Sequence, residues 1–380
     1  MTGDTLFWVG LGSLAYIYLG YPLLLVLLVP FLRQRFQEGD QAPVISLIVA
    51  AHNEAAVIAE KIENTLALDY PAHRWRLIVI SDASDDGTDD LVRGYRDPRI
   101  TLLRQDPQGG KSAALNRGVE EASGELLVFC DANSIFATDA LRALTRRFAD
   151  PRVGAVSGVL EYREDQAHTG EALYWRYERV VKGLESRMGR LLGANGAIFA
   201  VRRELVPRLH PLDVNDFRIP YQAVLAGRAA VLAPDATATE RAAATVGGEM
   251  ARKVRIMSRA LPMFFSLLLP TLRAGRPLVA WQLFSHKLLR EVQAVFFLAM
   301  LGGAIWSTLA GRGLGWWLLG VQVIGYGLGG AGWASRGLRR LLPVKAATYV
   351  TMIAVTSMWA LARWLAGGNR PTWQRTHRAG

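Results

Sequence analysis

An α/β fold with a mixed, mainly parallel sheet, joined to membrane-spanning helices, is predicted by three observations. Strand-like and helix-like patterns alternate between residues 44 and 150, the signature of crossover connections between parallel strands. Charge is segregated: residues 6–32 hold no Asp, Glu, Lys or Arg, and three more uncharged runs follow residue 290. Polar clusters sit where the predicted strands end, which is where open parallel sheets bind ligands. The 380 residues allow two or three domains. This patterning excludes a disordered chain, a collagen-like chain and a small disulfide scaffold. The one cysteine, Cys130, cannot form an internal disulfide. The net charge of +11, from 44 basic and 33 acidic residues, suits anionic lipid or a phosphorylated substrate. Nucleic acid is not expected as a partner: there is no zinc-finger spacing, basic heptad region or aromatic RNP signature.

Residues 6–32 exceed the roughly 20 needed to cross a bilayer. No Lys or Arg precedes them, and Pro30, Arg33 and Arg35 stand where a signal peptide has a small-residue cleavage site. A retained anchor over residues 1–35 is therefore expected, with Arg33 and Arg35 holding its C-terminal end in the cytoplasm. Residues 44–51 (VISLIVAA) read as a buried strand and residues 54–66 as a helix. Residues 77–81 (LIVIS) form a second strand, ending in the turn cluster at Asp82–Thr88, where Asp85 or Asp86 suits a helix N-cap better than Asp82. Residues 100–103 are a weaker strand and 111–122 a helix. Residues 126–130 (LLVFC) are a strand ending in Asp131-Ala132-Asn133, followed by a helix capped by Thr138. Residues 261–272 and 277–289 are apolar but short or interrupted by Pro262, Pro270, His286 and Lys287, so they are expected in the membrane interface rather than in the soluble core. Residues 292–311, 313–335 and 346–362, the last resuming to 368, have spanning length. The expected organisation is an anchor (1–35), a cytoplasmic domain (36–260), interfacial segments (261–290), three spans (291–368) and a basic tail (369–380).

Three polar clusters converge at strand ends: His52-Asn53-Glu54, the Asp82 cluster and the Asp131 cluster. There is no Walker A motif and no GxGxxG, so a glycine cradle for phosphates is not expected.

The order of the clusters over residues 42–260 resembles the family 2 inverting glycosyltransferases of GT-A nucleotide-sugar-binding fold. Asp82-Ala83-Ser84-Asp85-Asp86-Gly87-Thr88 is similar to the family's DxSxDGT, and residues 110–118 (GKSAALNRG) to its GKxxALNxG. Asp131-Ala132-Asn133 takes the place of its DxD, Asn215-Asp216 that of its acidic pair, and residues 252–256 (RKVRI) that of QxxRW. The membrane layout resembles cellulose, hyaluronan and poly-N-acetylglucosamine synthases. The resemblance implies a UDP-sugar donor, with Asp82 accepting from the uracil imide and Ala51, Asn53 and Glu54 flanking base and ribose. It implies nucleotide-sugar binding by Lys111, Asp131, Arg252 and Arg255, with Lys111 and the two arginines facing the diphosphate. It implies Mg2+ or Mn2+ at Asp131 and Asn133, the amide lowering the charge offered to the metal. Asp216 is the implied catalytic base. Asn195, Gly196, Asn215 and Ile256 are implied on the acceptor side. Asn215 in place of an acid is expected to leave the Asp216 pKa less raised. The expected activity is hexosyl transfer to a growing surface polysaccharide at the inner (plasma) membrane, with the catalytic domain cytoplasmic and export coupled through the spans. One-sugar transfer to a polyprenyl phosphate or other lipid acceptor is the alternative. A non-catalytic nucleotide- or polymer-binding partner is the alternative of another class.

Overall fold

The computed structural model describes residues 2–162, 171–240, 246–335 and 337–368. Three parallel strands form its centre. β1 (Ile45–Ala51) is buried throughout and lies between β2 (Trp75–Asp82) and β4 (Leu126–Asp131), with Ile45 opposite both Trp75 and Leu126. β3 (Ile100–Gln105) extends the sheet beside β2. The apolar run of β1 is continuous because both faces are covered. Leu47, Val49 and Ala51 pack with Ile58 and Ile62 of α3 (Ala55–Leu66) on one face. Ile48 and Ala50 pack with Ala114 and Leu115 of α5 (Lys111–Glu121) on the other. Between these helices α4 (Thr88–Gly94) connects β2 to β3. α5 approaches closely because Gly118 has no side chain: a Cβ there would sit 2.6 Å from Ile80 Cδ1 and 2.7 Å from Ile48 Cγ2.

Beyond β4 the sheet turns antiparallel. β5 (Ile135–Phe136), β6 (Val153–Tyr162), β7 (Phe199–Arg202) and β8 (Ala229–Glu240) complete the order β3-β2-β1-β4-β7-β6-β8-β5. β7 runs antiparallel to β4 and β6, whereas β6 and β8 are parallel to each other. β5 fills the stretch between Asn133 and the helix expected to be capped by Thr138. That helix, α6 (Ala140–Thr145), starts after Asp139 without a side-chain cap, and the carbonyl of Thr138 instead accepts from the Asp69 N–H. α7 (Glu171–Arg187) and α8 (Asn215–Leu225) precede β7 and β8.

The apolar termini pack together. α1 (Gly3–Ala15), a π-helical turn over Tyr16–Gly20 and α2 (Tyr21–Leu32) make one 30-residue apolar helix. α9 (Val246–Arg273) runs without a break through Pro262, so the boundary expected at residue 260 falls inside a helix. Ala260, Leu261, Met263, Phe264 and Leu267 of α9 are buried beneath the sheet, while Phe265, Leu269 and Leu272 are exposed. The segment expected in the interface thus buries one face in the core. α10 (Pro277–Gln282), a second π-helical stretch at Leu283–Leu288 and α11 (Leu289–Glu291) follow, and the chain bends by 59° into α12 (Gln293–Leu309). α13 (Gly313–Ala334) and α14 (Leu342–Leu365) complete the described chain. Among the described residues two helices are long and apolar enough to cross a membrane, Gly3–Leu32 and Leu342–Leu365, or three if the bent pair is one span. The glycine-rich α13, expected as a span, is not among them. The basic tail 369–380 and the side chain of Arg252 lie outside the described residues.

Candidate active site

The C-terminal ends of β1, β2 and β4 lie side by side and carry the three polar clusters. Asp82 is fully buried at the end of β2. Its Oδ1 accepts from Gln105 Nε2 and the Gly109 N–H, and its Oδ2 from the Gly110 N–H, each at 2.8 Å. Gly110 sits at φ +85°, a region that favours glycine, so the loop before α5 can present both N–H groups to one carboxylate. The uracil-reading role expected of Asp82 therefore meets a carboxylate already holding three protein donors. The sequence motif is there, but tertiary folding spends its charge on the loop.

At the end of β1, Ala51 is buried and Asn53 adopts φ +56°. Asn53 Oδ1 accepts from the Asp85 N–H at 2.9 Å, while the Glu54 N–H donates to Thr88 Oγ1 at 3.0 Å. Asp86 accepts from the N–H groups of Thr88 and Ala55, both at 3.1 Å, but the N-cap position of α4, expected at Asp85 or Asp86, is Gly87. Ala51, Asn53 and Glu54 thus stand next to the Asp82 cluster.

Lys111 opens α5 and reaches Asp131 at the end of β4, Nζ to Oδ1 2.5 Å. Burial works against the Lys111 charge, but Asp131 outweighs it and raises the pKa. Lys111, expected to contact a diphosphate, is in this structure ion-paired with Asp131. Asn133 lies half-buried two residues on, and Ser134 hydrogen-bonds Glu240 at the end of β8.

Asp216 occupies the first turn of α8. Burial raises its pKa, Lys111 and Lys182 oppose this, and Asp131 adds to it. Asn215, which adds no like charge, is buried beside Asp216, and desolvation is the main cause of the raised pKa. The loop of residues 193–197 lies against Asp216: the Ala194 N–H donates to the Asp216 carbonyl at 2.7 Å, and a Cβ on Gly196 would lie 3.2 Å from Asp216 Oδ2. Asn195 is fixed by its N–H to Ser157 Oγ at 2.9 Å and accepts from the Ala197 N–H at 3.2 Å. Asn195, Gly196, Asn215 and Asp216 are thus brought together. Ile256, at 39% exposure, lies off the buried stripe of Val254, Ser258 and Leu261, while Arg255 is half-buried.

Two charged groups escaped the sequence reading. Lys182 on α7 donates to the Ala194 carbonyl at 3.2 Å. Its charge is felt at Asp216, and burial pushes its own pKa down. The Glu178, Lys182, Glu185 spacing places three charges on one helix face and was the available signal. Glu240 carried no motif at all; its charge reaches Lys111 across the sheet rim.

Asp131 and Asn133 offer a carboxylate and an amide oxygen, a donor set that suits a hard divalent cation drawing its other ligands from substrate phosphate and water. Among the described residues no group of three His, Cys, Asp or Glu side chains is placed to hold a metal by itself.

The profile of Glycosyl transferase family 2 matches residues 46–209, the segment that supplies all three clusters and the acceptor-side loop. Residues 46–209 thus carry a glycosyltransferase family 2 domain. A poly-beta-1,6-N-acetyl-D-glucosamine synthase of Staphylococcus epidermidis is 27% identical over 201 residues, covering 52% of this chain and 46% of that one. A beta-monoglucosyldiacylglycerol synthase of Trichormus variabilis is 35% identical over 137 residues, covering 34% of this chain and 29% of its own. The chain spans less than half the length of these curated relatives. A mannosyltransferase from Pyrobaculum calidifontis, solved with GDP-Man and Mn2+, superimposes with a TM-score of 0.71 at 22% identity over 95% of this chain and 99% of that one. The family 2 domain therefore has the GT-A-like fold expected from its motifs, and the similarity extends over the apolar helices.

Proposed function

We propose that this chain is a membrane-embedded inverting glycosyltransferase that moves a sugar from UDP to a growing polysaccharide at the cytoplasmic face of the plasma membrane. The observation that carries the reading is the charge constellation at the sheet rim: the Lys111–Asp131 pair at 2.5 Å, with Asp216 in the field of both and in contact with the loop around Gly196.

Asp216, its pKa raised by burial, is suited to take the proton of an acceptor hydroxyl. The hydroxyl oxygen bonds to the anomeric carbon as the bond from that carbon to the diphosphate oxygen breaks, inverting the centre. The leaving electron pair stays on the diphosphate. Lys111 can swing from Asp131 toward that charge, and Arg252 and Arg255, in the stretch that resembles QxxRW, would share in neutralising it. A divalent cation, held by Asp131 and Asn133, would neutralise the diphosphate further. Gly196 leaves room for a sugar ring beside Asp216.

A second reading, transfer of one sugar to a lipid acceptor, is favoured by the two qualifying spans and the outward Ile256. Purified full-length protein, incubated with radiolabelled UDP-glucose, UDP-N-acetylglucosamine, UDP-galactose and GDP-mannose, tests both. A lengthening product from a UDP-sugar supports the first reading. A single-sugar, organic-soluble product supports the second. No transfer from any donor, with metal and membrane lipid supplied, overturns both.

A further inference from the structure

Two arginines meet where α8, α9 and β8 converge, and among the described residues neither has an acidic partner. Arg190 follows α7, and its backbone bridges Ala230 in β8. Arg276 caps α10, and its guanidinium lies so close to Gly227 that a Cβ there would overlap it. Both side chains are therefore gathered at the turn between α8 and β8. Tyr221 of α8, bonded to Thr271 of α9 at 2.5 Å, fixes the two helices on either side. Nη1 of Arg190 is buried and, among the described residues, has no hydrogen-bond partner. Burial first, and then the Arg276 charge, lower the Arg190 pKa.

A buried guanidinium N–H left unpaired is costly, and a second positive charge beside it raises the cost. The missing component is an anion able to accept from two forks. A phosphate group meets that requirement, since its oxygens accept bidentately from guanidinium. We propose that Arg190 and Arg276 form a binding site for a phosphate group, distinct from the sugar-transfer site. Asp216 lies at the opposite end of α8, whose 11 residues place it roughly 16 Å away at about 1.5 Å per residue. The exposed Leu269 and Leu272 on the last turns of α9 directly precede the Arg276 turn, which suits the phosphate of an anionic lipid headgroup; free phosphate offers the same oxygens.

The thermal unfolding midpoint of the full chain in neutral detergent, titrated separately with phosphatidylglycerol, inorganic phosphate and diacylglycerol, tests the site. Expected is a dose-dependent rise with a phosphate-bearing probe and none with diacylglycerol. Arg190→Gln and Arg276→Gln should each raise the half-effective concentration about tenfold, the loss of one charge-assisted fork. Arg190→Lys, which keeps the charge but not the fork, should also weaken the response and covers the case of a glutamine variant that fails to fold. Arg96→Gln, at an exposed position between α4 and β3, should leave it unchanged. A response to phosphatidylglycerol alone identifies a lipid headgroup, and a response to inorganic phosphate a soluble ligand. Equal responses in the wild-type and both glutamine variants, or an equal loss in Arg96→Gln, would overturn the site.

Discussion

Asp216 and Lys182 carry the sharpest expectations at the scale of single residues. Asp216→Asn keeps shape and loses proton acceptance, so turnover should fall by about 10²–10⁴, the usual range for a general base, while calorimetry still detects donor binding. Near-normal turnover would remove Asp216 from the mechanism. A base must be deprotonated to act, and the Asp216 pKa is raised by burial against the opposing charges of Lys111 and Lys182. Activity should therefore fade as pH drops through a value above the ordinary aspartate range. Lys182→Met removes one opposing charge and should move that acid limb to higher pH; Lys182→Arg should return it. A role confined to holding the Ala194 carbonyl would lower the rate without moving the limb. At the neighbouring cluster, Lys111 competes for Asp131, and Asn133 adds no charge. Ligand charge tunes hard-cation affinity. Asn133→Asp should thus lower the Mn2+ concentration needed for half-maximal binding, read by Mn2+ paramagnetic resonance without substrate. An unchanged binding curve would place residue 133 outside the coordination shell.

At the scale of elements, glycine decides how closely helices approach. Gly3 of α1 and Gly303 of α12 let the two backbones touch: a Cβ on Gly3 would lie 2.6 Å from the Ser307 nitrogen, and one on Gly303 2.5 Å from the Phe7 nitrogen. This is small-residue packing, which brings apolar helices together where lipid offers no hydrophobic drive. Gly303→Val must push α1 and α12 apart and should cost about 1–3 kcal/mol, the range for overpacking. Gly302 has nothing within 4 Å of its missing Cβ, so Gly302→Val is the matched control. Midpoints of detergent unfolding should fall for the first and hold for the second.

The whole molecule is joined through a buried polar hub. Glu185 of α7 accepts from Tyr21 of α2 at 2.6 Å and pairs with His286 of the second π-helical stretch at 2.7 Å. Glu178, two turns earlier, meets Arg290 at 2.8 Å and Lys287 at 3.6 Å. Burial opposes the Glu178 charge, but Arg290, Lys287 and His286 hold its pKa well below the usual glutamate range. The hub ties the N-terminal helix, the family 2 domain and the approach to α12 at one place, and Lys182 extends the same face of α7 toward Asp216. Removing one member of a buried pair strands the other, at a cost of about 3–5 kcal/mol. Glu185→Ala should therefore lower the unfolding midpoint markedly and loosen the N-terminal helix, detectable as faster hydrogen exchange over residues 21–32. Unchanged protection there would show that α2 is held by apolar packing alone.

Local patterns were legible in the chain. The β-branched runs announced β1, β2 and β4, the Asp- and Gly-rich turns marked their ends, and the long uncharged run at residues 6–32 announced the N-terminal helix. Such features depend on neighbours a few residues apart, and periodicity records them directly. Tertiary structure alone decided which charges meet. Asp82 turned to Gly109 and Gly110, Lys111 to Asp131, Lys182 to the Ala194 loop and Glu185 to both Tyr21 and His286. The antiparallel return of β7 and the unbroken course of α9 through Pro262 also came from packing. A carboxylate's partner is set by crossovers that bring distant segments to one sheet edge, and a one-dimensional pattern does not encode that proximity. Burial then turns each meeting into a pKa or a stability, because a charge removed from water is governed by whatever partner the fold supplies.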